Sequence, residues 1–178
     1  MEDEKLTLLD RLNPYFVETL EDYDELNLYK INDIDPQTLK KLLEFGESVF
    51  GEDSFDSFGI VSQIHYGQVY ALLNKDRSEL VGLAAFHRSW EDRDMAFLSD
   101  YAINEEAQGL SIGTRFLSRV LSQLHYQGIE RVRLNVATDN DPAIAMYSNV
   151  GFEHHDFKEA LYGKGEDRYT MEWTPHED

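Results

Sequence analysis

Cysteine is absent from the 178 residues, which excludes disulfides, thiolate metal sites and any cysteinyl covalent intermediate. Any nucleophile or acid–base group has to be sought elsewhere. Basic residues are scarce: 16 Lys and Arg stand against 35 Asp and Glu, a formal charge of -19. Phosphate contacts on nucleic acid need clustered Lys and Arg, and here they are scattered, so no nucleic-acid partner is expected. No apolar run approaches the roughly 20 residues that a membrane span requires, so no membrane partner is expected either. The opening "MEDEKLTLLDRLNPYF" is acidic where a secretory leader is basic, which makes the cytoplasm the expected compartment. Repeats, low-complexity tracts and Pro/Ser-rich linkers are also missing, and the length suits one domain with one sizeable core.

What is present is an ordinary globular composition, 42% hydrophobic and 12% aromatic. The acidity has two readings: a solvated surface suited to solubility, or attraction of a cationic substrate. Residues 1–25 read as an N-terminal extension, with Leu6, Leu9 and Leu12, then Tyr15 and Phe16, on a short amphipathic helix that leans on the domain or on a second subunit of a homodimer. Residues 26–178 read as the domain itself. "LNLYKIND" is the first strand. "DPQTLKKLLEFGESVF" is a helix, with Asp35 as N-cap, Pro36 at its first position and Leu39, Leu42, Leu43 and Phe50 on one face. Three apolar runs from Gln68 to Asn104, parted by "NKDRSE" and "WEDRD", read as an antiparallel meander. From Ile112 the period changes to three and four, through Phe116, Leu117, Val120, Leu121 and Leu124, with Gly128 placed to end a helix. "RVRLNVA" returns to alternation, and "DNDPAIAMYSNVGF" is a second helix that Asp141 can cap, Pro142 can open and Gly151 can close. Strands around "FEHHDFKEALY" and "DRYTMEW" finish the chain, giving a mixed sheet with helices on its faces.

Between strand and helix lies "AQGLSIGTRFL", two glycines and a serine where side chains are missing. Unpaired N–H groups at a helix N-terminus, with the positive end of its dipole, suit an anion such as a phosphate or pyrophosphate. A tight turn against a neighbouring strand would need the same glycines. Neither the P-loop nor the GxGxxG pattern fits.

"QGLSIGTRFL", followed across one strand by "NDPAIAMYSNVGF", resembles the acetyl-coenzyme A-binding core of the GNAT family of N-acetyltransferases. That family carries an Arg/Gln-x-x-Gly-x-Gly/Ala loop ahead of a helix and later an N-x-x-A-x-x-x-Y-x-x-x-G-F segment. Here the first is matched by Gln108, Ser111 and Gly113, and the second by Asn140, Ala143, Tyr147, Gly151 and Phe152. The resemblance implies an α/β (α+β mixed-sheet) fold with a mostly antiparallel central sheet. In it the fourth and fifth predicted strands, "FLSDYAIN" and "RVRLNVA", form a parallel pair, and helices lie on both faces. It implies acetyl-CoA as co-substrate. The amides of Gln108, Gly109, Leu110, Ser111, Ile112, Gly113 and Thr114 would hold the pyrophosphate. Tyr101, Ala102 and Ile103 would pair edge-wise with the pantetheine arm, and backbone N–H groups there would face the thioester carbonyl. Tyr147 would protonate the departing thiolate, while Ala143 and Asn140 would contact the coenzyme, unless Asn140 simply caps its helix.

The departures from the pattern are informative. Ser111 stands where the family usually has glycine, and Gln108 where many relatives have arginine, which leaves Arg115 and Arg119 as candidates to supply positive charge. Relatives often place a glutamate in the strand before the loop, but the register here puts Ser99 there, with Asp100 beside it. Adjacent strand residues face opposite ways, so Asp100 acts as base only if the strand is bulged. A base is needed, because holding an alkyl amine neutral at pH 7 costs about 4 to 5 kcal/mol. Glu52, Asp53 and Asp56, beside Phe55 and Phe58, sit where an acceptor pocket is often built; with Ser99 they are the substrate candidates, and a solvated acidic loop is the plainer reading. His154 and His155 alternate across a strand, so no metal is expected. The leading reading is an N-acetyltransferase acting on a primary amine of a small molecule. The alternatives are a protein or peptide N-acetyltransferase, a non-catalytic acyl-CoA-binding module and a nucleotide-phosphate hydrolase.

Overall fold

The computed structural model describes residues 14–20 and 25–175. In chain order the elements are β1 (Pro14–Thr19), β2 (Leu26–Ile31), α1 (Pro36–Phe50), α2 (Ser57–Tyr66), β3 (Gln68–Asn74), β4 (Leu80–Arg88) and β5 (Met95–Ile103). They continue with α3 (Ile112–Tyr126), β6 (Arg131–Ala137), α4 (Asp141–Val150), β7 (Glu153–Lys158) and β8 (Arg168–Trp173). The strands form one sheet in the order β1-β2-β3-β4-β5-β6-β8-β7. Every neighbouring pair is antiparallel except β5–β6, the parallel pair expected.

Two cores flank the sheet. On one face α3 buries Phe116, Leu117, Val120, Leu121 and Leu124 against Phe86, Leu98, Leu134 and Met171, with α4 packed at the rim. On the other, Leu42 of α1 and Ile60 and Ile64 of α2 cover Val69, Ala71, Leu83 and Ala85. A fully buried side chain of this size contributes roughly 1.5–3 kcal/mol. The central strand β4 is buried from Leu80 to Phe86, which is why it reads as an unbroken apolar run.

The sheet begins one strand earlier than the sequence suggests. Tyr15 and Phe16, expected on a short amphipathic helix, lie instead in β1, which pairs antiparallel with β2 and is bulged between Phe16 and Glu18. Leu6, Leu9 and Leu12 lie outside the described residues. Helix α2 is a second addition, in a segment read as a loop. Asp56 starts it, its Oδ1 accepting from the Gly59 amide at 2.7 Å. The cap of α4 is Asn140, which accepts from the Ala143 amide at 3.2 Å, so Asp141 is the first helical residue rather than the cap.

Candidate active site

β5 and β6 part company early. They are paired only at Met95, Ala96 and Phe97, opposite Arg131, Val132 and Arg133. Beyond that point β5 stays with β4 to Ile103, and β6 stays with β8 to Ala137. Among the described residues, the β5 edge that turns toward β6 therefore has no ladder partner from Leu98 to Ile103. An open strand edge presents main-chain groups to whatever lies alongside.

The divergence coincides with a bulge. Asp100 lies opposite Ala85 and Leu98 opposite Phe86, which leaves Ser99 as the extra residue. A bulge bends its strand and shifts the side-chain alternation. Ala96 and Leu98 bury on the α3 face, and after the bulge Tyr101 and Ile103 do so, while Ala102 buries under α1 and α2. The condition under which Asp100 could act is thus met. Gln63 of α2 reaches both residues, its Nε2 donating to Ser99 Oγ at 2.9 Å and to Asp100 Oδ2.

At the far end of β5 lies the glycine-bearing loop. Gly109 has φ of +75° with nothing within 4 Å of the place a Cβ would take, so its requirement is conformational. Ser111 has φ of +61°, the left-handed conformation that glycine adopts without strain. Glycine, which the resembled loop pattern has at this place, would adopt that conformation freely. The Ser111 hydroxyl makes no capping bond to α3, so the donors of the first turn have no cap from the N-cap side chain. Gly113 has a different reason: a Cβ there would come within 3.3 Å of both Tyr101 Oη and Ile103 Cγ1. A cleft of about 590 Å³ runs from this loop along β5 to α4. Its walls include Tyr101, Ile103, Gln108, Gly109, Ser111, Gly113, Thr114, Asn140 and Ala143, all of them coenzyme candidates from the sequence.

The side chains of other candidates lie outside the cleft wall. Ile112 is buried in the α3 core, Ala102 is buried on the opposite face, and Leu110 is exposed. The Gln108 side chain donates through Nε2 to the Ile103 carbonyl at 3.1 Å, tying the loop to the end of β5. Arg119 lies 3.6 Å from Glu18 of β1, so part of its charge is spent on the added strand. Arg115 is exposed in the first turn of α3. Glu52 is exposed, Asp53 sits in the same short turn after α1, and Asp56 is committed to capping; neither Glu52 nor Asp56 lines the cleft. Among the described residues no group of His, Asp and Glu could hold a metal. His154 packs edge-on against Tyr169, and His155 lies 4.0 Å from Glu172.

The two tyrosines near the cleft divide their duties. Tyr101 donates its hydroxyl proton to the Gly113 carbonyl at 2.6 Å and stacks on Phe116. Tyr147 packs its ring against Tyr101 and Phe152, with centroids 6.2 and 5.7 Å away, and its hydroxyl has no protein partner among the described residues. Of the two, Tyr101 is the one whose hydroxyl is bonded to the backbone. Burial pushes the Tyr147 phenol well above its ordinary value, and it does the same to Tyr101, where the neighbouring Tyr147 adds to the effect. Both are held as neutral proton donors.

Sequence reasoning missed Gln63, and it also missed Val49, Phe50 and Met146 in the cleft wall. Phe50 and Met146 are spaced like core residues of their helices. Gln63 offers no local signal, since only the unforeseen helix α2 brings it to β5.

Comparison with known proteins agrees with this geometry. The sequence profile described as Acetyltransferase (GNAT) family matches residues 14–152. The chain is 36% identical over 61 residues to a mycothiol acetyltransferase from Paenarthrobacter aurescens, covering 34% of this chain and 19% of that one. It is 35% identical over 94 residues to the N-alpha-acetyltransferase RimI of Mycobacterium tuberculosis, covering 52% of this chain and 58% of the relative. The chain thus spans less than two thirds of these relatives' lengths. The crystal structure of Ard1 from Thermoplasma volcanium superposes with a TM-score of 0.72 at 19% identity, covering 86% of this chain and 99% of that one. With a matched profile across the split sheet, the loop and α4, the chain belongs to the GNAT family of acetyltransferases.

Proposed function

We propose that the chain is an acetyl-coenzyme A-dependent N-acetyltransferase that acts by direct attack of a primary amine, carried by a small molecule. The observation that carries this reading is the β5–β6 split, with an uncapped helix start at one end, Tyr147 on one face and Asp100 on the other. The residues fit the coenzyme. First-turn donors of α3 with the dipole behind them suit a pyrophosphate, and the open edge of β5 suits the amides of a pantetheine arm.

Bound there, acetyl-coenzyme A supplies an acyl group activated as a thioester. Asp100 receives the proton that the attacking ammonium must lose. As the new C–N bond forms and the C–S bond breaks, Tyr147 gives its proton to the departing sulfur. Main-chain N–H groups of β5 stabilise the charge that develops on the carbonyl oxygen. The acidity of the protein supports a cationic acceptor, whose approach a charge of -19 favours at low ionic strength.

The test uses the missing cysteines: with no protein thiol, released coenzyme A is read directly with a thiol reagent. Spermidine, lysine, tyramine, kanamycin and an alanyl peptide are offered in turn. Release with a small amine supports the reading, and release with the peptide alone replaces it by a peptide N-acetyltransferase. Tight acetyl-coenzyme A binding without release across the panel leaves a binding module instead.

A further inference from the structure

Strand β7, "EHHDFK", is the outermost strand at the β8 end of the sheet, and all of its side chains are exposed. Its outer edge has no strand beside it among the described residues. Outer strands ordinarily carry charges, a lysine or a bulge that keep other chains from adding to them. β7 has all three: Glu153, Asp156 and Lys158 are charged, and the register with β8 slips between His154 and Asp156, which leaves His155 as the extra residue. Against a second copy of the same strand these devices act in the opposite sense.

The bulge divides the side chains unevenly between the two faces. His154 and Phe157 share the α3 face with Tyr169, their rings centred 4.7 and 6.0 Å from it, and Phe157 is left 51% exposed. Glu153, His155, Asp156 and Lys158 share the other face. There His155 is 4.0 Å from Glu172, Asp156 stands opposite Thr170, and Lys158 holds Asp156 at 2.6 Å. Glu153 stands opposite Glu172, like charge against like across the ladder, while Glu172 is bonded to Arg133. Glu153 has no ion pair of its own among the described residues.

Two copies of β7 related by a two-fold axis normal to the sheet run antiparallel and keep their faces in common. With the axis between His155 and Asp156, Glu153 meets Lys158 of the second copy, His154 meets Phe157 and His155 meets Asp156, each pair formed twice. Opposite charges stand together, two rings stand together, and an imidazole N–H stands against a carboxylate. The bulge lies across from its own copy, so the faces agree along the whole strand. Lys158 then sits between Asp156 of its own strand and Glu153 of the other. Sliding the copies by two residues sets Glu153 against Asp156, or His155 against Lys158, acceptor on acceptor or donor on donor. Sliding them by one sets most side chains against those of the opposite face.

We infer that the edge of β7 is a self-association surface, to which a second copy of this chain adds in this one register, joining two eight-stranded sheets into one. A seam of 6 residues is small beside the roughly 20–30 residues a side of a standard interface, so the dimer exchanges with monomer at micromolar concentrations. No residue of β7 lines the cleft, so the interface is independent of the acetyltransferase reading.

The test is sedimentation velocity of the full-length chain at physiological salt, from low micromolar to several hundred micromolar. The parent is expected to show a concentration-dependent monomer–dimer equilibrium. Glu153→Lys sets lysine against Lys158 in both halves of the seam, and Lys158→Glu sets glutamate against Glu153. Each variant alone is expected to raise the dimer Kd roughly tenfold or more. Mixed in equal amounts, the two variants restore both opposite-charge pairs, and a heterodimer of about the parent's affinity is expected. Both positions are exposed, and circular dichroism checks that each variant is folded. A parent that stays monomeric throughout, single variants that dimerise as the parent does, or a mixture no more associated than its components overturns the seam. Acetyl-coenzyme A binding, measured by calorimetry, is expected to be the same in parent and variants, so loss of the interface and loss of the enzyme reading are told apart.

Discussion

Replacing Tyr101 and Tyr147 by phenylalanine, one at a time, separates structural support from chemistry. In Tyr101→Phe the lost group is a hydroxyl bonded to the Gly113 carbonyl at 2.6 Å inside the fold. A hydrogen bond of that kind is worth about 1 kcal/mol net, and at this chain length 1 kcal/mol moves Tm by about 2–4 °C. The bond also fixes the first turn of α3, so a modest weakening of coenzyme binding accompanies it, with kcat nearly kept. In Tyr147→Phe the lost hydroxyl touches no protein partner among the described residues, and the ring contacts with Tyr101 and Phe152 survive. Its stability is expected to stay within about 0.5 kcal/mol of the parent. Its kcat falls by the share of a general acid, about 10²- to 10⁴-fold. Thermal unfolding, calorimetry with acetyl-coenzyme A and thiol release measure all three quantities on each variant. A Tyr147→Phe protein that keeps its kcat, or a Tyr101→Phe protein that loses it, would refute this division.

Three further outcomes follow from the loop and the buried phenols. Ser111→Gly relieves a left-handed serine that makes no capping bond, and gains about 1 kcal/mol before the added freedom of the unfolded glycine takes back about half; an unchanged or lower Tm counts against strain at that site. Gly109→Ala meets no atom, so its cost of about 1–2 kcal/mol is conformational, and calorimetry should show weaker acetyl-coenzyme A binding as the loop shifts. Burial raises both phenols above the unfolded value of about 10, so the stability they lend is complete below about pH 10 and is lost as the pH climbs beyond it. Alkaline unfolding of the parent should therefore be blunted in a Tyr101→Phe, Tyr147→Phe double variant, and kcat should show no Tyr147-dependent fall below about pH 10.

Sequence legibility followed how local each feature is. The Asp35 cap, the three-and-four spacing of α3 and the closing Gly151 depend on residues within one turn of each other, and all three stand in the structure. The loop geometry was half legible: the glycines marked an unusual backbone, but that Gly113 is needed for space and Ser111 bears positive φ emerges only from packing and dihedral angles. α2 escaped notice because "SFGIVSQIHY" is short and holds Gly59 and three β-branched residues, so its stability comes from Ile60 and Ile64 in the second core. β1 escaped because six residues carry no pattern of their own and are held by pairing with β2. Gln63 could not be found by spacing at all, since 36 residues separate it from Ser99.

The bulge at Ser99 is where these threads meet. In an unbulged β5 the alternation begun by Ala96 and Leu98 would continue through Asp100 and Ala102, all on the α3 face. Asp100 would then be driven among Leu98, Phe116 and Val120, where an unpaired carboxylate costs several kcal/mol or loses its charge. Tyr101 and Ile103 would turn under α1 and α2, away from Tyr147 and the cleft. One extra residue reverses both assignments: it gives the carboxylate to Gln63 on one side and the tyrosine to Gly113 on the other. It also bends β5 away from β6 at the point where the parallel ladder ends. Opening the sheet and sorting Tyr101 and Asp100 onto its two faces are thus consequences of a single insertion in the strand.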